Sequence, residues 1–154
     1  MSLEHILYCI DEIRALMNKI ESNCNYLWAA WHDATDAALK RYNAKWIGVI
    51  SRLTKKEMKM LLKCLRISVI RRLPFWFILC QCMHIAHIPD TAKKEAILKH
   101  LATPENRLDA IVQSGKNMSM RNVAEKLESR MGIPILGTNA ATFWYCGKTD
   151  SKIL

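Results

Sequence analysis

The chain has 154 residues, 51% of them hydrophobic and 24% charged, and carries a formal net charge of +9. This is ordinary globular composition, with enough length for one main core that buries roughly two-thirds of the unfolded surface. Only five Gly and four Pro leave little material for the many tight turns of an all-β fold, so helices are expected to dominate.

Residues Met1 to Ile20 include Glu4, Asp11 and Glu12 and alternate polar with apolar residues. That pattern differs from a positive region followed by an apolar run, and it predicts a cytoplasmic chain. Cys9, Cys24, Cys64, Cys80, Cys82 and Cys146 lack the dense spacing of a disulfide framework, so reduced thiols are expected.

The first element has a heptad pattern. Leu3, Ile10, Met17, Cys24 and Trp31 occupy one position, and Ile6, Ile13, Ile20, Leu27 and Ala34 lie three residues after each. This predicts one helix over about 2–42, or two collinear pieces loosened near Asn23 and Asn25, with a seam that packs in its own bundle or forms a homodimer.

Next comes an apolar set of Trp46, Ile47, Val49, Ile50 and Leu53. Thr54-Lys-Lys-Glu57 then reads as a capping box that opens a helix at Lys55. On that helix Met58, Leu61, Leu62, Leu65 and Val69 share one face, and Lys55, Lys56, Lys59, Lys63 and Arg66 share the adjoining one.

Pro74 ends this helix or sits in the first turn of an apolar helix over Phe75 to Ile88, which Pro89-Asp90 closes. The apolar run from Leu73 to Ile88 is shorter than the roughly 20 residues of a membrane span, so no membrane partner is expected. Beyond Asp90, shorter helices are predicted over Thr91 to Leu101, Pro104 to Ser114 and Ser119 to Met131. Ile133-Pro-Ile-Leu136, a turn at Gly137-Thr-Asn139, and Ala141 to Cys146 read as a β-hairpin.

The expected architecture is therefore mainly α. Residues 1–89 form a helical bundle with the basic helix, and 90–154 form short helices plus a hairpin in winged-helix order, packed with the first part as one unit.

Charge is the strongest functional signal. Residues 40–72 hold eleven Lys and Arg against Glu57 alone, a net of +10, whereas residues 1–39 carry a net of −4. A concentrated cationic stripe attracts polyanions and releases their counterions. The expected function is a non-enzymatic nucleic-acid-binding accessory or regulatory protein. Lys55, Lys56, Lys59, Lys63, Arg66, Arg71 and Arg72 would contact phosphates, and Arg121, Asn122 and Lys126, together with Ser119, would reach base edges. Trp28, Trp31 and Trp46, and Trp144 in the expected final strand, could stack on a base where exposed, although core packing is the more common fate of such residues.

Alternatives are an inhibitor-, antitoxin- or immunity-like factor that binds an acidic protein, and a small metal-independent ribonuclease toxin. No G-x-S-x-G elbow supports a nucleophilic hydrolase, and no cofactor is expected, because the glycines never cluster into a phosphate loop. Cys80, Cys82, His84 and His87 lie close enough to suggest metal ligation. On a helix only Cys80, His84 and His87 share a face, which leaves a tetrahedral site incomplete, so no metal site is expected.

Overall fold

Ile47-Gly-Val-Ile-Ser51 is a short apolar run rich in β-branched residues, and all five of its residues are buried. Such runs suit strands covered on both faces, which is the condition of a parallel sheet. A computed structural model of the chain, which describes residues 10–24, 28–51, 75–77, 82–115 and 117–150, places this run at the centre of such a sheet.

Helices α1 (Ile10–Cys24) and α2 (Trp31–Arg41) precede strand β1 (Ile47–Ser51). Strand β2 (Phe75–Phe77), a 3₁₀ turn at Cys82–His87, and helix α3 (Asp90–Ala96), which continues as a π-helical turn over Ile97–Leu101, follow. Strand β3 (Ala110–Ser114), helix α4 (Arg121–Met131), strand β4 (Ile135–Gly137) and helix α5 (Thr138–Asp150) complete the order.

The strands lie in the order β2-β1-β3-β4 and every pairing is parallel. Ser51 is level with Phe77 and Ser114, and Gln113 with Gly137, so the carboxyl ends of all four strands reach one edge.

Alternation along the strands puts Ile50, Ile111 and Ile135 on one face, where they form a buried cluster with Ile97, Leu101, Val123 and Leu127. Burial of each of these side chains stabilises the fold by roughly 1.5–3 kcal/mol. Gly48 shares this face, and a Cβ there would meet Leu108 Cδ1 at 2.7 Å. On the way out of the sheet, α5 contacts β3 and β4 and packs against α2, which buries Ala34 and Ala38.

Polar side chains fix the starts of the strands. Asp109 Oδ2 accepts the backbone N–H groups of Lys45 at 2.7 Å and Trp46 at 2.8 Å, which aligns the entries to β1 and β3. Asn106 Nδ2 donates to Leu101 O at 2.8 Å and ties off the π-helical turn. Gly132 ends α4 in a left-handed conformation with φ 70°, where a side chain would be strained. Glu128 Oε1 accepts Ile135 N–H at 2.6 Å and joins α4 to the start of β4.

The parallel sheet overturns the expectation of a mainly α, winged-helix-like chain with a terminal hairpin. Residues 47–51 and 75–77 are strands. The helix expected over Pro104 to Ser114 is a turn followed by β3. Ile135–Gly137 is a strand, but it pairs in parallel with β3, and the expected return strand Ala141 to Cys146 lies inside α5. The β propensity of Phe143, Trp144 and Tyr145 gives way to the packing of α5 on α2.

The heptad segment is two helices separated between Cys24 and Trp31. Helices occur at Asp90–Ala96 and Arg121–Met131, close to two of the expected spans. The sheet joins strands from both sides of residue 89. The capping box at Thr54 and the basic helix lie outside the described residues. Among the described residues, no helix is long and apolar enough to cross a membrane.

Candidate active-site cleft

In an open parallel sheet, ligands bind beyond the carboxyl ends of the strands, where the loops diverge. Here β1 sends the chain to β2 on one side while β3 lies on its other side. The junction is held by Ser51 Oγ, which donates to Ser114 O at 2.9 Å. Beside it, above the ends of β3 and β4, lies a cleft of about 790 Å3.

Gln113 forms part of the floor and is only 2% exposed. Its side-chain amide donates through Nε2 to Gly115 O. Gly115 takes φ 122°, a conformation that side chains rarely adopt, and this turns the chain sharply away from β3. Thr138 Oγ1 donates to Gln113 O at 2.7 Å and anchors the first residue of α5 to the same strand.

One wall is the segment from Asn117 to Arg121. Met118 and Met120 are buried and hold it against the core, while Asn117, Ser119 and Arg121 line the cleft. Behind this wall Lys93, 4% exposed, donates from Nζ to Ser119 O at 2.7 Å and pairs with Asp90 Oδ1 at 2.6 Å. Asn122 Nδ2 donates to the other Asp90 oxygen at 3.2 Å. Hydrogen bonds from Lys93 first, and from Asn122 second, hold the Asp90 carboxyl below the ordinary carboxylate range.

The opposite wall combines α2 and α5, with Arg41, Asn139 and Trp144 in the lining. The Arg41 guanidinium lies 5.9 Å and Lys148 Nζ 5.5 Å from the Trp144 ring centroid, a pair of cation–π contacts that fix the ring. Arg41 has no carboxylate partner among the described residues. The cleft therefore carries two guanidinium groups and several amides beside the carboxylates of Glu125 and Glu128, of which Glu128 is already bound to Ile135 N–H. Such a surface suits a small anion bearing carboxylate oxygens.

The sequence-based site residues separate in space. Arg121 lines the cleft, Asn122 braces it through Asp90, and Lys126 is exposed outside the lining. Helix α4, expected to read bases, is the crossover between two parallel strands. Lys55, Lys56, Lys59, Lys63, Arg66, Arg71 and Arg72 lie outside the described residues, as does Cys80. His84 and His87 are exposed on the 3₁₀ turn, and no group of three metal-ligating side chains gathers among the described residues.

Trp144 reaches the cleft, though as part of a helix. Gln113, Lys93 and Arg41 carry no local motif. For Gln113 the available signal is the pattern of a buried apolar strand, Ala110 to Val112, followed by polar residues, a glycine and a helix; Lys93 and Arg41 have none.

This arrangement, a parallel sheet with crossover helices and a cleft at its carboxyl edge, defines an open α/β fold. No family model and no curated protein matches the sequence. Among solved structures the chain is similar to arylmalonate decarboxylase, with TM-score 0.75 and 12% identity over 88% of this chain and 59% of that one. It is also similar to the maleate isomerase of Pseudomonas putida S16 with maleate, at TM-score 0.72 and 18% identity over 86% and 53%.

A third is the Nocardia farcinica maleate cis-trans isomerase with a covalently bound succinylcysteine intermediate, at TM-score 0.61 and 16% identity over 70% and 44%. The chain spans about half the length of these neighbours. Their shared fold belongs to decarboxylases and isomerases, and it overturns the expectation of a non-enzymatic nucleic-acid-binding regulatory protein. The interaction-factor alternative rested on the basic face over residues 55–66, which lies outside the described residues.

Proposed function

We propose that this chain is the substrate-binding part of an enzyme that acts on a small dicarboxylic acid. The observation that carries this reading is the cleft of about 790 Å3 at the carboxyl ends of β3 and β4, lined by Arg41, Arg121, Asn117 and Asn139. Arylmalonate and maleate, named in the fold neighbours, are both dicarboxylates, which supports the reading. One carboxylate would lie against Arg121 and Asn117, and the second against Arg41 and Asn139. In a decarboxylation one carboxylate leaves as CO2, the electron pair of the breaking C–C bond stays on carbon and spreads onto the remaining carboxylate, and a proton from solvent then fills that carbon. Donors already directed at that carboxylate would stabilise the enediolate so formed.

The test is calorimetric titration of the full chain with malonate, phenylmalonate and maleate, alongside proton NMR of each acid incubated with the protein. Saturable, mutually competitive binding is expected, weakened in Arg121→Ala. Absence of binding and of turnover for all three acids overturns the proposal.

A further inference from the structure

Besides the carboxylates of Glu125 and Glu128, Gln113 contributes an acceptor at the floor of the cleft. The Gln113 side chain has two donor hydrogens on Nε2 and two lone pairs on Oε1. Nε2 is committed to Gly115 O, whereas Oε1 accepts from no group among the described residues. Oε1 borders the space that Gly137 leaves open: a Cβ on Gly137 would lie 3.6 Å from Oε1 and 3.8 Å from Met120 Cβ, and Gly137 itself lines the cleft. The residue is 2% exposed, so the amide is pinned and its oxygen cannot turn away to bulk solvent.

A carboxylate oxygen placed there would face the negative end of the amide dipole, and a bare methylene would leave the oxygen desolvated without a partner. Either costs free energy. A ligand hydroxyl or ammonium group satisfies it.

We propose that Gln113 is a specificity-determining residue that selects, among small dicarboxylic acids, those carrying a hydrogen-bond donor, either a hydroxyl or an ammonium group, on the carbon skeleton. This inference rests on the dicarboxylate reading of the cleft and adds a substituent that the reading does not require. The carboxylates engage Arg41 and Arg121 on the walls while the substituent points to the floor and donates to Oε1. Gly137 is the complementary choice, because a side chain at that position would stand between the substituent and the amide.

The experiment is titration of the full chain with malonate, hydroxymalonate and aminomalonate at one pH and ionic strength, followed by calorimetry. The unsubstituted acid is expected to bind about tenfold more weakly than the better of the two substituted ones, as befits one hydrogen bond to a buried acceptor. Which substituted acid is tighter tells hydroxyl from ammonium, and Gln113→Glu is expected to shift the ratio toward aminomalonate by adding a charge. In Gln113→Leu the preference for the substituted acids should fall to a ratio of about one. Gly137→Ala, whose methyl makes only ordinary contacts, should reduce the preference without removing the amide.

Equal binding of the three acids to the wild-type chain overturns the proposal and leaves the dicarboxylate reading standing. A preference that persists in a folded Gln113→Leu chain also overturns it. No saturable binding of any of the three acids overturns both.

Discussion

Lys93 Nζ reaches from α3 to the carbonyl oxygen of Ser119, 2.7 Å away, and so ties a helix on one side of the sheet to the loop that walls the cleft. A buried ammonium held by a carbonyl and by Asp90 is stable only while both partners remain.

Lys93→Met is expected to destabilise the fold by about 1–3 kcal/mol, because the Ser119 carbonyl and Asp90 lose a charged donor. Lys93→Arg should retain part of the loss. Urea denaturation checks this, and an unchanged midpoint in Lys93→Met would show that the contact carries no stability. The partner has a pH signature. Asp90 titrates lower in the folded chain than in the unfolded one, so its contribution is complete above the ordinary carboxylate range. That contribution is lost as pH falls through the folded value. Asp90→Asn should flatten that acid limb.

His32 gives a second pH dependence at higher pH. It is 3% exposed, and its Nε2 lies 3.3 Å from Asp33 Oδ2 without forming a hydrogen bond. Burial lowers its pKa, Asp33 raises it by less, and Arg14 lowers it further. Below about 6.5, where a free histidine titrates, the unfolded chain takes up a proton that the folded chain resists. Stability should therefore be full above that pH and decline as pH falls toward the folded value. In His32→Leu this slope should disappear from denaturation midpoints measured across pH 5–8; identical slopes in the two chains would sink the assignment.

Asp109 holds two backbone N–H groups at the entry to the central strand. Asp109→Ala should cost about 2 kcal/mol, since the Lys45 and Trp46 amides lose a charged acceptor, and Asp109→Asn should cost less. Thermal melts followed by far-UV circular dichroism would measure both, and a melting temperature unmoved in Asp109→Ala would contradict the role.

Arg41 joins the second helix to the cleft through the Trp144 ring. In Arg41→Ala, affinity for maleate should fall about tenfold with little change in stability, because Arg41 is exposed and the lost contact is with the ligand's charge. Trp144 fluorescence reports both the ring's environment and the titration. Equal affinity in the two chains would remove Arg41 from the site.

The helix at Arg121–Met131 was legible because it is amphipathic and ends at Gly132, the residue that favours the left-handed conformation found there. The sheet was not. Ile47, Val49 and Ile50 are buried on both faces of a central strand, so they show no alternation and cannot be told from a helical segment by period. Pro104 marks a turn ahead of β3 as readily as a helix start. Phe143, Trp144 and Tyr145 favour a strand locally, and only the tertiary packing of α5 on α2 decides otherwise.

For the site, sequence pattern marked Arg121, but with a role tied to nucleic acid, and did not separate Trp144 from the other tryptophans. Gln113 and Lys93 gain meaning only when parallel crossovers bring the ends of β3, α3 and α5 to one edge.

The brevity of β4 has a consequence for association. A strand at the border of a sheet offers unpaired amides to any passing chain and is a common start for aggregation. Here the offer is small: Pro134, which has no N–H, comes immediately before the three residues of β4, and α5 begins at Thr138 directly after them. An incoming strand would find room for scarcely one pair of rungs on this side before meeting a helix, which leaves β4 a poor template for sheet-to-sheet growth.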